Sequence, residues 1–420
     1  MYLAGLVYLT AFRRPDRGEA AEHVFSVLIP AHNEESVIER TVERLLLLDY
    51  PADRLEILVV NDGSSDRTGE ILEGLRARHP GRVRVLHVPA DQARRGKAMA
   101  LNRGFAELRR VSDFRGRDDW VIGIFDADGV ADRRLMRRVS HAMRQARVGG
   151  VQCIVRVYNR RGGLLARLQD VEFSGFTRAM QLIRVAMLRS TALGGNGQFV
   201  RAAALLDAWS LSRDGQYWKA DSLAEDLELS TRIILRNWDF EFIGDVGVQQ
   251  EGVETARDLY VQRTRWAWGY LQVFADYVLR ARVARISGAR LGKRLDMFLH
   301  FMVFLLWPLV AVMWLFTLFA ALGIVAVTNF VPAWTTILFT AAFLPILLYG
   351  LHPHREYRSP RVLVDALLYG VYAYHWIPCY LRAMVHMLKR DKPHWARTPR
   401  IPPGEGLPET PGEQPVVGPS

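Results

Sequence analysis

Several carboxylates, amides and cations in this chain stand where they could do chemistry together. Pro30-Ala31-His32-Asn33-Glu34-Glu35, Asn61-Asp62-Gly63-Ser64-Ser65-Asp66 and Asp126-Ala127-Asp128 each follow a short apolar run. An Asp-x-Asp pair after such a run presents oxygen ligands to a hard divalent cation, and that cation neutralises a diphosphate. A nucleoside diphosphate group is therefore the implied ligand. Lys97, in Arg94-Arg95-Gly96-Lys97, adds a cation, and Glu225-Asp226 adds a carboxylate that near such a cleft would serve as a base toward a sugar hydroxyl. Gln262-Arg263-Thr264-Arg265-Trp266-Ala267-Trp268 then combines guanidinium groups, which stabilise a leaving diphosphate, with indole faces that pack on sugar rings.

Each cluster also has a plain structural explanation. Asn33 and Asp66 suit helix N-caps, Asp62-Gly63 a turn, and Glu225-Asp226 the positive end of a helix. The cations around Lys97 could be a solvated charge run, and the Arg/Trp segment an interfacial anchor. What favours a site is the elements that carry these residues. Apolar runs at Phe25–Ile29, Leu55–Val60, Val83–Val88 and Val121–Phe125 alternate with helical periods at 36–48, 68–78 and 97–110. That alternation predicts an α/β fold with a mostly parallel sheet and helices on both faces. Ligands in such sheets bind beyond the carboxyl ends of the strands, where all three acidic clusters fall. Neither a GxGxxG nor a Walker lysine loop follows the first strand, so dinucleotide and ATPase chemistry lose their support.

Composition adds a second layer. The 420 residues are half hydrophobic and 24% charged, with 55 Lys plus Arg against 44 Asp plus Glu, a net charge of +11. That excludes intrinsic disorder. Two isolated cysteines, Cys153 and Cys379, support neither a disulfide scaffold nor a zinc site. The basic residues mix with carboxylates or flank apolar stretches, so a nucleic-acid stripe is not expected. Residues 298–327 carry no charge, and as a helix these 30 residues would span about 45 Å, enough to cross a bilayer. With the uncharged residues 334–351 they predict a transmembrane hairpin, and the Arg-rich flanks place both ends and the catalytic domain in the cytoplasm of a multi-pass cell-membrane protein. Residues 362–388, with Pro378, Asp365 and Arg382, predict a broken interfacial or re-entrant helix. The apolar residues 1–12 predict the end of a membrane helix that begins upstream, with a short interfacial anchor as the alternative.

The motifs Pro30-Ala31-His32-Asn33-Glu34, Asn61-Asp62-Gly63-Ser64, Arg95-Gly96-Lys97, Asp126-Ala127-Asp128, Glu225-Asp226 and Gln262-x-x-Arg265-Trp266, in that order, resemble the family 2 glycosyltransferases. Within them the chain resembles the membrane-embedded processive branch of cellulose, hyaluronan, chitin and poly-N-acetylglucosamine synthases. The resemblance implies a GT-A-like nucleotide-sugar-binding domain joined to a C-terminal helical transmembrane and interfacial region. It implies that Ala31, Glu34 and Asp62 contact base and ribose, that Lys97 and Asp126 hold the nucleotide, and that Asp128 ligates Mg²⁺ or Mn²⁺. Asp226, beside Glu225, would be the base of an inverting displacement. Gln262, Arg265 and Trp266 would wall the diphosphate and acceptor site, and Gly195, Asn196, Gly197 and Gln198 would line the acceptor, with a tight turn as the alternative. Trp395, Arg397 and Thr398 resemble a tail that caps the nucleotide.

Ala224 departs from the threonine of cellulose synthases, which disfavours cellulose synthase proper. The expected organisation is a membrane segment over 1–21 and a transferase domain over 22–290, with an interfacial helix near 255–281. A membrane and interfacial region over 291–400 and a disordered tail over 401–420 complete it. The expected partners are a nucleotide-sugar donor, a polysaccharide or lipid-linked acceptor and membrane lipids. The expected reaction extends a β-linked polysaccharide from a UDP-sugar, with transfer of one sugar to a lipid or lipid-linked acceptor as the alternative.

Overall fold

A computed structural model describes residues 18–322 and 344–391. Eight strands form one sheet: β1 (Val24–Ala31), β2 (Leu55–Asn61), β3 (Val83–His87), β4 (Trp120–Ile124), β5 (Val130–Ala131), β6 (Val148–Val157), β7 (Gln198–Arg201) and β8 (Asp239–Gln250). Their order is β3-β2-β1-β4-β7-β6-β8-β5. β1 runs parallel to β2 and β4, β2 to β3, and β6 to β8, while β7 is antiparallel to both β4 and β6. The sheet is thus mixed, and its parallel part is the part that the alternating sequence predicts.

The period of two along each strand sorts the side chains into two cores. Leu28, Leu58, Ile122 and Val200 face one helical layer, while Val27, Ile57, Val121 and Phe199 face the other. The first layer includes α3 (Lys97–Val111), α7 (Ala202–Trp209) and α8 (Glu225–Leu235), and the second includes α1 (Ile38–Leu46), α2 (Thr68–Arg78) and α4 (Leu135–Ala142). Between β6 and β7 the chain makes α5 (Leu164–Val171), a π-helical turn (Glu172–Thr177) and α6 (Arg178–Leu188). After β8 comes α9 (Ala256–Phe274), started by the Thr255 hydroxyl, which accepts a hydrogen bond from the Asp258 N–H at 3.1 Å.

Beyond α9 lie α10 (Leu291–Ala321), α11 (Leu344–Leu351), α12 (Arg361–Tyr372) and α13 (Trp376–Lys389). Here the expected membrane-spanning, multi-pass architecture is corrected. Among the described residues, no helix is long and apolar enough to cross a membrane. Part of this region packs on the sheet domain, while apolar side chains such as Val312, Leu367, Val371 and Leu388 stay exposed. α10 opens with Lys293, which donates to the carbonyls of Leu188 and Arg189 and to Asp239, and with Asp296, which pairs with buried Arg184 at 2.7 Å. Met297 and Phe301 then join the main core. α11 lays Leu347 and Leu351 against Val171, and Gly350 lets it approach the backbone of Gly175. The break between α12 and α13 falls at Ala373–His375; Pro378 sits inside the first turn of α13, where its missing N–H costs nothing. The N-terminal segment, most of the second apolar stretch, the residues expected to cap the nucleotide (Trp395, Arg397 and Thr398) and the tail lie outside the described residues.

Candidate active site

β1 stands where the strand order reverses, with β2 on one side and β4 on the other. The loops that follow these strands meet at one end of the sheet. Ala31 is in register with Asn61, and the Asp62 N–H donates to the Ala31 carbonyl at 2.8 Å. Asn33, with φ at 55°, clasps the two loops: its side chain accepts from the Ser65 N–H at 2.7 Å, and its own N–H donates to Ser64 Oγ at 3.0 Å. Asp66 accepts from the Thr68 N–H at 3.0 Å, so the capping explanation holds for that residue. Glu34 is buried, with its N–H donated to Thr68 Oγ1 at 2.8 Å. The Asp62 carboxylate accepts from the Arg94 N–H at 3.1 Å and lies 3.5 Å from Arg103; burial nevertheless holds it above the usual carboxylate range.

Lys97 is the hub of the acidic groups. Its Nζ lies 2.5 Å from Asp126 and 3.7 Å from Glu225, and it donates to the Gly195 carbonyl at 3.4 Å. Burial alone would lower this ammonium; Asp126 and Glu225 outweigh that and hold it above its ordinary value. Asp226, next to Glu225 in the first turn of α8, accepts from the Leu227 N–H at 2.7 Å. Burial, then repulsion from Glu225, push its carboxyl up to about 7 against the pull of Lys97. Glu228, in the same turn, is spent elsewhere: Arg232 and Tyr277 donate to it at 2.9 and 2.8 Å. Asp226 is thus a half-buried carboxyl that exchanges its proton near neutral pH.

A cavity of about 910 Å³ collects these groups. Of the residues singled out in the sequence, Ala31, Glu34, Asp62, Lys97, Asp126, Asp128, Gly195, Glu225, Asp226, Gln262, Arg265 and Trp266 line it. Gln262, Arg265 and Trp266 share a face of α9 by their i, i+3, i+4 spacing, and Gly269 lets that helix close on the chain before Glu225. Burial lowers the Arg265 guanidinium while Glu225, Asp126 and Asp226 pull it back, so it faces the same carboxylates. Asn196, Gly197 and Gln198 do not line the cavity. They build the wall behind it: Asn196 Oδ1 accepts from the Asp126 N–H at 3.2 Å, and Gln198 donates to the Gly195 carbonyl at 3.2 Å. Gly197, at φ +63°, turns the chain into β7, so the tight-turn explanation applies there.

Asp128 is 4% exposed and accepts from the Glu251 N–H at 3.4 Å. Among the described residues no group of three or more His, Cys, Asp or Glu side chains could hold a metal by itself. The oxygen donors present suit a hard cation whose coordination a diphosphate completes, since such ions take one or two carboxylates plus phosphate oxygens.

Sequence reasoning passed over a second group at the cavity. Glu172, in the π-helical turn, accepts from Arg263 at 2.8 Å, Tyr372 at 3.3 Å and Trp376 at 3.1 Å. The Arg263 guanidinium lies 4.2 Å from the Trp266 ring centroid and 5.2 Å from that of Trp376. Arg263 was visible within the Gln-x-x-Arg-Trp segment; Glu172 had no local signal, because its partners come from α9, α12 and α13.

Comparison with known proteins agrees with this geometry. Residues 22–269 match the family described as Glycosyltransferase like family 2. The chain is 34% identical over 286 residues to a beta-monoglucosyldiacylglycerol synthase of Synechocystis sp., covering 68% of this chain and 55% of that protein. It is 27% identical over 245 residues to a poly-beta-1,6-N-acetyl-D-glucosamine synthase of Staphylococcus epidermidis, covering 58% and 54%. The chain therefore spans about half the length of these curated relatives. In fold it is similar to a mannosyltransferase from Pyrobaculum calidifontis solved in complex with GDP-Man and Mn²⁺, with a TM-score of 0.55, 20% identity and coverage of 89% and 93%. With the acidic strand ends, Lys97, the carboxylate pair of α8 and the Arg/Trp face of α9 gathered on one cavity, and with the family matched over residues 22–269, this chain belongs to the family 2 glycosyltransferases.

Proposed function

We propose that this chain transfers one hexose, with inversion, from a UDP-sugar to a hydroxyl of a glyceride lipid. The observation that carries the reading is that one cavity is lined both by Glu34, Asp62, Asp126 and Asp226 and by the apolar side chains Phe173, Phe176, Val303 and Val310. Ala31, Glu34 and Asp62 hold base and ribose, and Lys97 and Arg265 face the diphosphate. Asp226 takes the proton of the acceptor hydroxyl. The resulting oxygen attacks the anomeric carbon from the face opposite the diphosphate, the bond from that carbon to the diphosphate breaks, and UDP leaves with the electron pair. Asp128 is the residue that would hold Mg²⁺ or Mn²⁺, which, when bound, neutralises charge on the diphosphate. The similarity to a beta-monoglucosyldiacylglycerol synthase supports a glyceride acceptor, and the Mn²⁺ bound with GDP-Man in the Pyrobaculum mannosyltransferase supports a divalent cation.

Elongation of a β-linked polysaccharide is the second reading. The indole faces of Trp266 and Trp376 at the cavity and the name of the Staphylococcus relative favour it. A donor panel of UDP-glucose, UDP-galactose, UDP-N-acetylglucosamine and GDP-mannose, each offered dioleoylglycerol or an oligosaccharide, separates the two by mass spectrometry of products. A lipid carrying a single hexose is the expected product. Chains of many sugars would overturn the first reading in favour of the second, and absence of transfer from every donor to every acceptor would overturn both.

A further inference from the structure

The cavity extends well past the carboxylates. Beyond Arg265 and Trp266 it runs on among Phe173 and Phe176 of the π-helical turn, Val303 and Val310 of α10, and Trp376 and Tyr380 of α13. The side chains just named are aliphatic and aromatic, a surface that an alkyl chain can cover. Polar groups line the cavity as well: Glu172 and Arg263, paired with each other, and the phenol of Tyr380. Tyr380 is 0% exposed, and its hydroxyl has no hydrogen-bond partner. It shares a buried cluster with Leu223, three positions before Asp226, and lines the same cavity as Asp226. A buried hydroxyl left without a partner is a net cost, and phenylalanine would fill the same space without it. The phenol is therefore explained by a group that enters the cavity.

We propose that this arm seats an aliphatic chain of the lipid acceptor, and that the Tyr380 hydroxyl donates a hydrogen bond to an ester or glycerol oxygen at the head of that chain. The free hydroxyl of the glyceride is thereby presented toward Asp226. This rests on the reading of the acceptor as a glyceride and adds which residues recognise it. Phe173, Phe176, Val303 and Val310 read the chain, and Tyr380 reads the junction between chain and head. Each methylene that enters the arm should tighten binding roughly fourfold until the arm is full, after which longer chains gain nothing.

Acylglycerols brominated along the chain quench tryptophan emission on contact, so titrating the full chain with them in a non-quenching detergent reads binding without turnover. Saturable quenching is expected, with affinity rising with chain length to a plateau. Tyr380→Phe should weaken binding about three- to tenfold, the worth of one hydrogen bond, while the unfolding temperature of the ligand-free protein stays the same or rises. A tyrosine kept only for packing would not give that combination. Val303→Phe should move the plateau to shorter chains, and UDP binding in the same samples shows that both variants are folded. Non-saturable quenching, or equal affinity and plateau in wild type and both variants, would overturn the proposal. The expected differences between wild type and the two variants, without sugar transfer to any glyceride, would uphold the arm and sink the acceptor reading instead.

Discussion

Asp226 shows how little a motif says about charge state until its neighbours are known. Three carboxylates open α8, yet Glu228 is bound to Arg232 and Tyr277, Glu225 leans on Lys97, and Asp226 keeps a backbone hydrogen bond and a proton affinity raised to about 7. As a base it must be unprotonated, so kcat/KM should fall about tenfold per pH unit below that value and level off above it. A pH profile without an acid limb between pH 5 and 7 would contradict the assignment. Asp226→Asn should lower turnover by at least about 10²- to 10⁴-fold while UDP affinity, read by calorimetry, changes little. Asp128→Asn should behave differently: nucleotide affinity should lose its dependence on added Mg²⁺ or Mn²⁺, and turnover should fall with it. An unaltered metal titration in that variant would remove Asp128 from the role.

At the scale of elements, the meeting of α9 with the chain before α8 decides whether Asp226 and Arg265 share a cavity. A Cβ on Gly269 would come within 2.7 Å of the Ala224 nitrogen and the Leu223 carbonyl carbon, so even a methyl group must push the helix away. Gly269→Ala should cost about 1–3 kcal/mol of stability, as overpacking does, and should lower kcat more than it weakens UDP binding. Gly74 of α2 is the control: a Cβ there meets nothing within 4 Å, and Gly74→Ala should stabilise slightly with unchanged turnover. Thermal unfolding and steady-state kinetics on the two variants check both expectations. The local signals were strong enough to read these elements in advance. The helix expected at 68–78 is Thr68–Arg78, and the runs before each acidic cluster are β1, β2 and β4. Antiparallel β7 was not legible, because four residues between two helices carry too little periodicity, and its pairing with β4 and β6 is made by contacts distant in sequence.

For the whole molecule, the C-terminal helices belong to the same packed body as the sheet. Asp170, fully buried, accepts from Arg156 at 2.9 and 2.8 Å, from the Val157 N–H and from Tyr357, while Arg167 pairs with Asp365 at 2.5 Å. Burial alone would raise the Asp170 carboxyl, but Arg156 and these donors pull it down to about 2 from an ordinary 3.8. A depressed carboxylate stabilises the fold above its unfolded value and loses that contribution as pH falls through the folded one. Acid titration of unfolding should therefore show a loss of about 2 kcal/mol between about pH 4 and 2, absent in Asp170→Asn, which should already be destabilised at neutral pH because Arg156 loses its fully buried counter-charge and keeps only the more exposed Glu356. The sequence alone determined the alternation of strands and helices, the acidic clusters at strand ends and the family they resemble, because these depend on period and on residues a few positions apart. Only the tertiary structure decided that Met297, Phe301, Leu347 and Leu351 of the apolar C-terminal region pack on the rest of the molecule, that Glu172 and Arg263 form a buried pair at the cavity, that Asn196, Gly197 and Gln198 stand behind its wall and that Tyr380 is left without a partner. Whether an apolar or charged side chain meets protein or solvent is set by elements that may lie two hundred residues away, as Glu172 and Trp376 do, and no local pattern records that choice.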